Sequence, residues 1–331
     1  MTTFTKKLTN DNAVLTAYIH DRSKEMPNTD IRPAVLVFPG GGYMFCSDRE
    51  ADPIALAYLA EGYNTFILRY SVGMQVPASN SFFDAEEAIV YLHEHAEELS
   101  IDKEKIAVIG FSAGGHLAAW LSTHGKIRPA ASILGYACIL PEVGQLLGKE
   151  LPDLCEKVDG ATPPAFIFTT RDDAIVPVRH ALRYADALDK ANIAFEMHVF
   201  ADGAHGLSLA KSFTSAGKLH MLNPDMAKWF ALSVDWLKKT LGDFQVQEEA
   251  AQVYEGPLDC GAPLGLLMSN ESTRLLVMEV LPQIAVILKQ AEESKQIEIV
   301  SAAPLRQIAR VRPELLEEAK INELDEKLKA L

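Results

Sequence analysis

Residues 106–114 read IAVIGFSAG, and the fold can be read from this stretch. Ile106 to Ile109 is a short apolar run, Gly110-Phe111-Ser112-Ala113-Gly114 is a G-x-S-x-G pentapeptide, and a helical pattern follows over 115–123. A serine on a tight strand-to-helix turn needs a backbone conformation that L-residues avoid, so the residues two positions either side must be small. Gly110, Gly114 and Gly115 meet that need. The turn lifts the hydroxyl clear of the strand ends, at a helix N-terminus that favours developing negative charge. Alone the pentapeptide is a weak signal, because Gly and Ser also build plain turns.

On both sides of it apolar runs alternate with helical patterns. The strand-like runs are 34–38 (AVLVF), 64–68 (NTFIL), 106–109, 131–134 (ASIL), 165–169 (AFIFT) and 195–200 (FEMHVF); 14–19 (VLTAYI) reads as an antiparallel edge strand. Helical patterns cover 52–61, 84–99, 115–123, 178–191 and 224–241. Strand and helix in repetition predict an α/β fold, a mostly parallel sheet with helices on both faces, and the continuously apolar strands agree. Ligands of such sheets sit at the carboxyl ends of the strands.

Three further segments fall at strand ends. A serine hydroxyl is a weak nucleophile that needs a base, and the base needs an orienting carboxylate. After the run 165–169 come Asp172 and Asp173; the alternative is an Asx turn capping the next helix. After 195–200 comes Ala204-His205-Gly206, a histidine on a loop free to swing over a serine; the alternative is an ordinary surface histidine. After 34–38 comes Pro39-Gly40-Gly41-Gly42-Tyr43, whose backbone N–H groups can turn toward a substrate carbonyl, as in oxyanion loops of the HGGG type. A phosphate-binding loop is the rival, and neither phosphate-loop glycine motif is present. The chain order serine, acid, histidine suits this architecture.

Composition excludes other classes. The chain has 331 residues and a formal charge of −14, a poor match to nucleic acid or an anionic membrane. Its four cysteines lack C-x-x-C spacing, so neither a zinc cluster nor a disulfide framework is expected, and no metal or cofactor is. The start MTTFTKKLTN has no apolar run after its lysines and no segment approaches membrane-spanning length, which predicts a cytoplasmic protein. Composition shifts near Gly242, so a catalytic domain is expected over 1–243 and a helical extension over 244–331. The extension begins with the polar segment 245–251 and reads as three or four helices: 272–290 divided at Pro282, then 303–309 and 313–331, with Pro304 and Pro313 at helix starts. Leu324, Leu328 and Leu331 form an apolar stripe that docks on the body of the protein or makes a homo-oligomer with another copy.

Phe38–Tyr43, Ser47–Ala51, Gly110–Ala118, Asp172–Pro177 and His205–Leu207 together resemble the α/β-hydrolase esterases of the acetyl-xylan esterase and feruloyl esterase-like group, related to hormone-sensitive-lipase-like esterases and more distantly to prolyl oligopeptidases. The resemblance spans roughly residues 5–241 and leaves out the helical extension. It implies an α/β-hydrolase fold and a serine esterase or deacetylase acting on a small-molecule ester such as an acetylated sugar or oligosaccharide. Ser112 is then the nucleophile and His205 the base; Asp172 is the acid, by the D-D-x-x-V-P pattern of the related peptidases, with Asp173 as alternative. Gly41, Gly42 and Ala113 supply the oxyanion hole. Arg49 and Glu50 brace the oxyanion loop, and Tyr43, Tyr70, Met74 and Phe111 are candidates for lining a substrate pocket. Two other readings are a prolyl-oligopeptidase-type exopeptidase, which normally carries a large N-terminal propeller where this chain has 33 residues before Ala34, and a non-catalytic hydrolase scaffold used for binding or assembly.

Overall fold

The computed structural model describes residues 1–246, 254 and 256–331, which form two compact units, Met1–Val246 and Gln247–Leu331. The first is built on strands β1 (Thr2–Lys7), β2 (Val14–Ile19), β3 (Arg32–Phe38), β4 (Asn64–Arg69), β5 (Ile101–Phe111), β6 (Ala131–Gly135), β7 (Ala165–Thr170) and β8 (Phe195–Phe200). Its helices are α1 (Asp52–Ala60), α2 (Ala78–Glu94), α3 (Ala113–His124), α4 (Glu142–Leu147), α5 (Arg179–Lys190) and α6 (Trp229–Leu241). The eight strands form one sheet in the order β1-β2-β4-β3-β5-β6-β7-β8. β1, β2 and β4 pair antiparallel, and all other pairs are parallel.

Successive side chains of a strand point to opposite faces, so the apolar runs feed two cores at once. Leu36, Phe38 and Val108 pack with Ile89 and Leu92 of α2 and Leu117 of α3 on one face. Val35, Val37 and Ile109 pack with Ile54 and Tyr58 of α1 and Leu237 of α6 on the other. With nothing exposed at Leu36, its truncation to alanine would cost about 2–5 kcal/mol. Central β5 thereby becomes a rigid rod aimed at Ser112.

Three elements depart from expectation. β1 is an added edge strand, paired with β2 along its length; its mixed Thr, Lys and Phe pattern gives little alternation to read. α2 starts at Ala78 rather than Asp84 because its inward stripe begins with polar residues, Ser81 and Asp84. Asp84 is fully buried yet satisfied, accepting from the Ser71 N–H and the Asn10 amide, each at 2.6 Å. α6 starts at Trp229 rather than residue 224, after a 3₁₀ turn at Met226–Lys228.

The second unit has its own core, formed by α7 (Leu264–Ser269), α8 (Glu271–Val280), α9 (Ile284–Glu293), α10 (Ile297–Ala302), α11 (Leu305–Val311) and α12 (Glu318–Lys329). That is six helices among the described residues, more than the expected three or four, because α7 and α10 are too short to show periodicity. Pro282 divides α8 from α9 and Pro304 opens α11, whereas Pro313 lies in a turn before α12. Leu324 and Leu328 are buried, but Leu331 is 71% exposed and lies outside the core. Two Ala-Pro-Leu segments face each other: the Leu264 N–H donates to the Ala303 carbonyl (2.9 Å) and the Leu305 N–H to the Ala262 carbonyl (3.2 Å). Of the polar segment 245–251, residues 247–251 lie outside the described residues. Among the described residues no helix is long and apolar enough to cross a membrane.

Candidate active site

Ser112 follows β5 directly, with φ 52° and ψ −116°, a strained conformation for a residue with a Cβ. The glycines around it are obligatory on steric grounds. A Cβ on Gly110 would lie 2.0 Å from the Gly114 carbonyl oxygen, one on Gly114 2.0 Å from the Phe38 carbonyl oxygen, and one on Gly115 2.5 Å from the Ala137 Cβ. Without them the turn would be forced open and the hydroxyl moved.

His205 Nε2 lies 2.8 Å from Ser112 Oγ, and its Nδ1 lies 2.7 Å from Asp173 Oδ2. The other Asp173 oxygen accepts the N–H groups of Ile175 and Val176, both at 2.9 Å. The Asp173 side chain is 1% exposed, and both of its oxygens accept within the protein. The carboxylate that meets His205 is therefore Asp173, the alternative, and the choice of Asp172 is corrected. Asp172 is exposed and turned the other way, accepting the Gly203 N–H at 2.8 Å. The reason is local: at the end of β7 consecutive side chains diverge, and the 173–176 turn captures the second one.

The His205 loop does not swing freely. Thr170 Oγ1 donates to the Gly203 carbonyl (2.8 Å), Asn223 to the Asp202 carbonyl (2.7 Å) and Arg49 to the Gly206 carbonyl (2.9 Å). Trp229, fully buried and stacked on Phe168 with ring centres 4.3 Å apart, donates its indole N–H to the Ser208 carbonyl.

The glycine loop lies against the serine: a Cβ on Gly40 would be 3.2 Å from Ser112 Cβ. Gly41 and Gly42 have φ of 131° and 62°, and among the described residues their N–H groups donate no hydrogen bond. Ala113 opens α3, so its N–H has no acceptor within the helix. Three N–H donors are thus unspent, two on the loop whose Gly40 lies against Ser112 and one at the residue that follows it. Tyr70 OH donates to the Pro39 carbonyl (2.6 Å), and Tyr43 OH lies 2.8 Å from His116 Nδ1. Tyr43, Tyr70 and Phe111 are buried to 1% exposure or less, so they support the site rather than line it; Met74 is exposed. Burial pushes the His116 imidazole down to about 3, which keeps it neutral.

Two neighbours carry no sequence signal. Cys138 Sγ lies 3.8 Å from Ser112 Oγ, and burial pushes this thiol up to about 12. Tyr136 packs edge-on to His205 with ring centres 5.1 Å apart and donates its OH to Glu50 (2.5 Å), whose other oxygen accepts the Gly40 N–H (2.9 Å). Both follow β6, where no motif marks them.

The chain is similar to known proteins. A BD-FAE family model matches residues 23–132, and a Phospholipase/Carboxylesterase model matches residues 78–217. An α/β-hydrolase enzyme from a Medee basin deep-sea metagenome library is 48% identical, covering 73% of this chain and 98% of its own, with a TM-score of 0.70. The chain belongs to the α/β-hydrolase family. The hydrolase is also 33% identical over 227 residues to endo-1,4-beta-xylanase B of Butyrivibrio fibrisolvens (59% of this chain, 35% of that protein). It is 27% identical over 230 residues to an acetylxylan esterase of Xylanibacter ruminicola (62% of this chain, 46% of that protein). It thus spans less than half the length of these two curated relatives.

Proposed function

We propose that this α/β hydrolase is a serine-dependent carboxylic ester hydrolase that removes acetyl groups from small acylated substrates such as acetylated sugars or oligosaccharides. The observation that carries the reading is the continuous Ser112–His205–Asp173 relay. Ser112 Oγ attacks the ester carbonyl carbon while its proton passes to His205 Nε2. The carbonyl oxygen becomes an oxyanion received by the Gly41, Gly42 and Ala113 amides. The tetrahedral adduct collapses, the C–O bond to the alcohol breaks, and His205 returns the proton to the leaving oxygen. Water then repeats the sequence on the acyl-serine, giving the acid and free Ser112. Asp173 fixes the imidazole tautomer and faces the charge that forms on it. Acetyl as the acyl group, and a sugar as the alcohol, find support in the acetylxylan esterase relative.

The test has two arms. Fluorophosphonate should label the wild-type protein and not Ser112→Ala, and kcat on p-nitrophenyl acetate should fall by roughly 10⁴-fold or more in that variant. Acetylated xylo-oligosaccharides should then be deacetylated in preference to longer-chain aryl esters. Equal turnover by Ser112→Ala sinks the mechanism; cleavage of proline p-nitroanilides instead of esters favours the peptidase reading.

A further inference from the structure

Glu50 is a charged-type side chain with 3% exposure, and among the described residues no cation forms a salt bridge with it. The Gly40 N–H donates to Oε2. The Tyr136 hydroxyl accepts the Ser208 N–H at 3.0 Å, so its own proton points to Glu50 Oε1 at 2.5 Å. Both oxygens accept, Oε1 from the Tyr136 hydroxyl and Oε2 from the Gly40 N–H, which is the bonding pattern of a carboxylate. Burial pushes the carboxyl above the usual carboxylate range, while the bonds from Tyr136 and Gly40 and the charges of His205 and Arg49 pull it back. A buried anion held by neutral donors is costly in the resting protein.

We propose that Glu50 is a positioning residue that stabilises the His205 imidazolium through Tyr136, so that the resting site is built for the charge distribution of the transition state; this rests on the serine-esterase reading above. The geometry links the parts that must act together. Glu50 holds the first amide of the oxyanion loop with one oxygen, and with the other holds the phenol whose ring packs on His205. When His205 takes the serine proton, a positive charge appears near a buried carboxylate whose two hydrogen-bond donors are neutral groups. Asp173 supplies the direct hydrogen bond; Glu50 adds a second negative charge in the same low-dielectric environment.

The other groups nearby do not duplicate it. Tyr70 also faces Glu50, and burial keeps its phenol neutral. Arg49 faces Glu50 but commits its guanidinium to the Gly206 and Thr214 carbonyls. Cys138 and His180 face Asp173; burial raises the thiol and lowers the imidazole, so both are neutral. Asp172 is turned outward onto Gly203.

The experiment is the pH profile of kcat/KM on p-nitrophenyl acetate for the wild type, Glu50→Gln and Tyr136→Phe. The base must be neutral in the free enzyme, so activity rises with pH through the acid limb. Removing a nearby anion makes the imidazolium less favourable. The limb midpoint should then move to lower pH by about half a unit or more, and the plateau should fall roughly tenfold. Tyr136→Phe should shift the midpoint the same way by less, and it decides the matter if Glu50→Gln does not fold. A purely architectural glutamate would lower the plateau and leave the midpoint in place; that result, or an upward shift, overturns the proposal. Fluorophosphonate labelling of the wild type is run alongside. If the wild type is not labelled, the serine reading falls and takes this proposal with it; if it is labelled with unmoved midpoints, the Glu50 proposal alone fails.

Discussion

The elbow after β5 and the loop after β7 each present one member of the relay at a strand end, yet they are held by opposite means. The elbow is fixed by exclusion: at Gly110 and Gly114 a single added carbon would meet backbone at 2.0 Å. The β7 loop is fixed by attraction: three donors converge on Asp173 and one on Asp172. Exclusion selects a residue type at a given position and shows in the sequence. Attraction chooses between two identical residues by where the backbone points, and leaves no trace in their identity.

The largest test of this contrast is Asp173→Asn, which keeps the shape and loses the acceptor that sets the His205 tautomer. Its kcat on an aryl acetate should drop by about 10⁴-fold, and a loss below tenfold would return the role to Asp172. Next is Gly41→Ala. With φ at 131° and the Phe45 carbonyl oxygen 2.0 Å from the new Cβ, the loop must shift and its donor with it, for a loss of about 10²–10³ in kcat at little change in KM. Gly114→Ala probes the elbow itself: overpacking should lower stability by about 1–3 kcal/mol in denaturant titration. Unchanged stability would mean the turn is not sterically fixed. The smallest effect is Asp172→Asn, which weakens one exposed hydrogen bond to the His205 loop and should cost less than about tenfold in kcat.

The same distinction explains what could be read in advance. The sheet was legible because β3, β6, β7 and the second half of β5 carry continuous apolar runs between helical patterns, and Ser112 and His205 because glycines frame them at strand ends; the charged stretch 102–105 hid the first half of β5. Asp173 was legible only as one of a pair. The Glu50–Tyr136 link was not, since it joins residues 86 positions apart that meet through topology alone. The first turns of α2 were hidden by Ser81 and Asp84, polar residues on a buried face that both meet Ser71 of the preceding loop, with Asn10 as a second partner of Asp84. The short helices α7 and α10 fall below the length at which periodicity can be seen.

The paired Ala-Pro-Leu segments of the second unit have a consequence for colloidal behaviour. Two facing extended segments are the start of a ladder, and exposed ladders recruit strands from other chains. Here Pro263 and Pro304 oppose each other and neither has an N–H to offer, while α7 and α11 begin at the very next residues. The bridge is held by three backbone hydrogen bonds, the third from the Arg306 N–H to the Cys260 carbonyl; it ties segments 41 positions apart and gives way to helix on both sides.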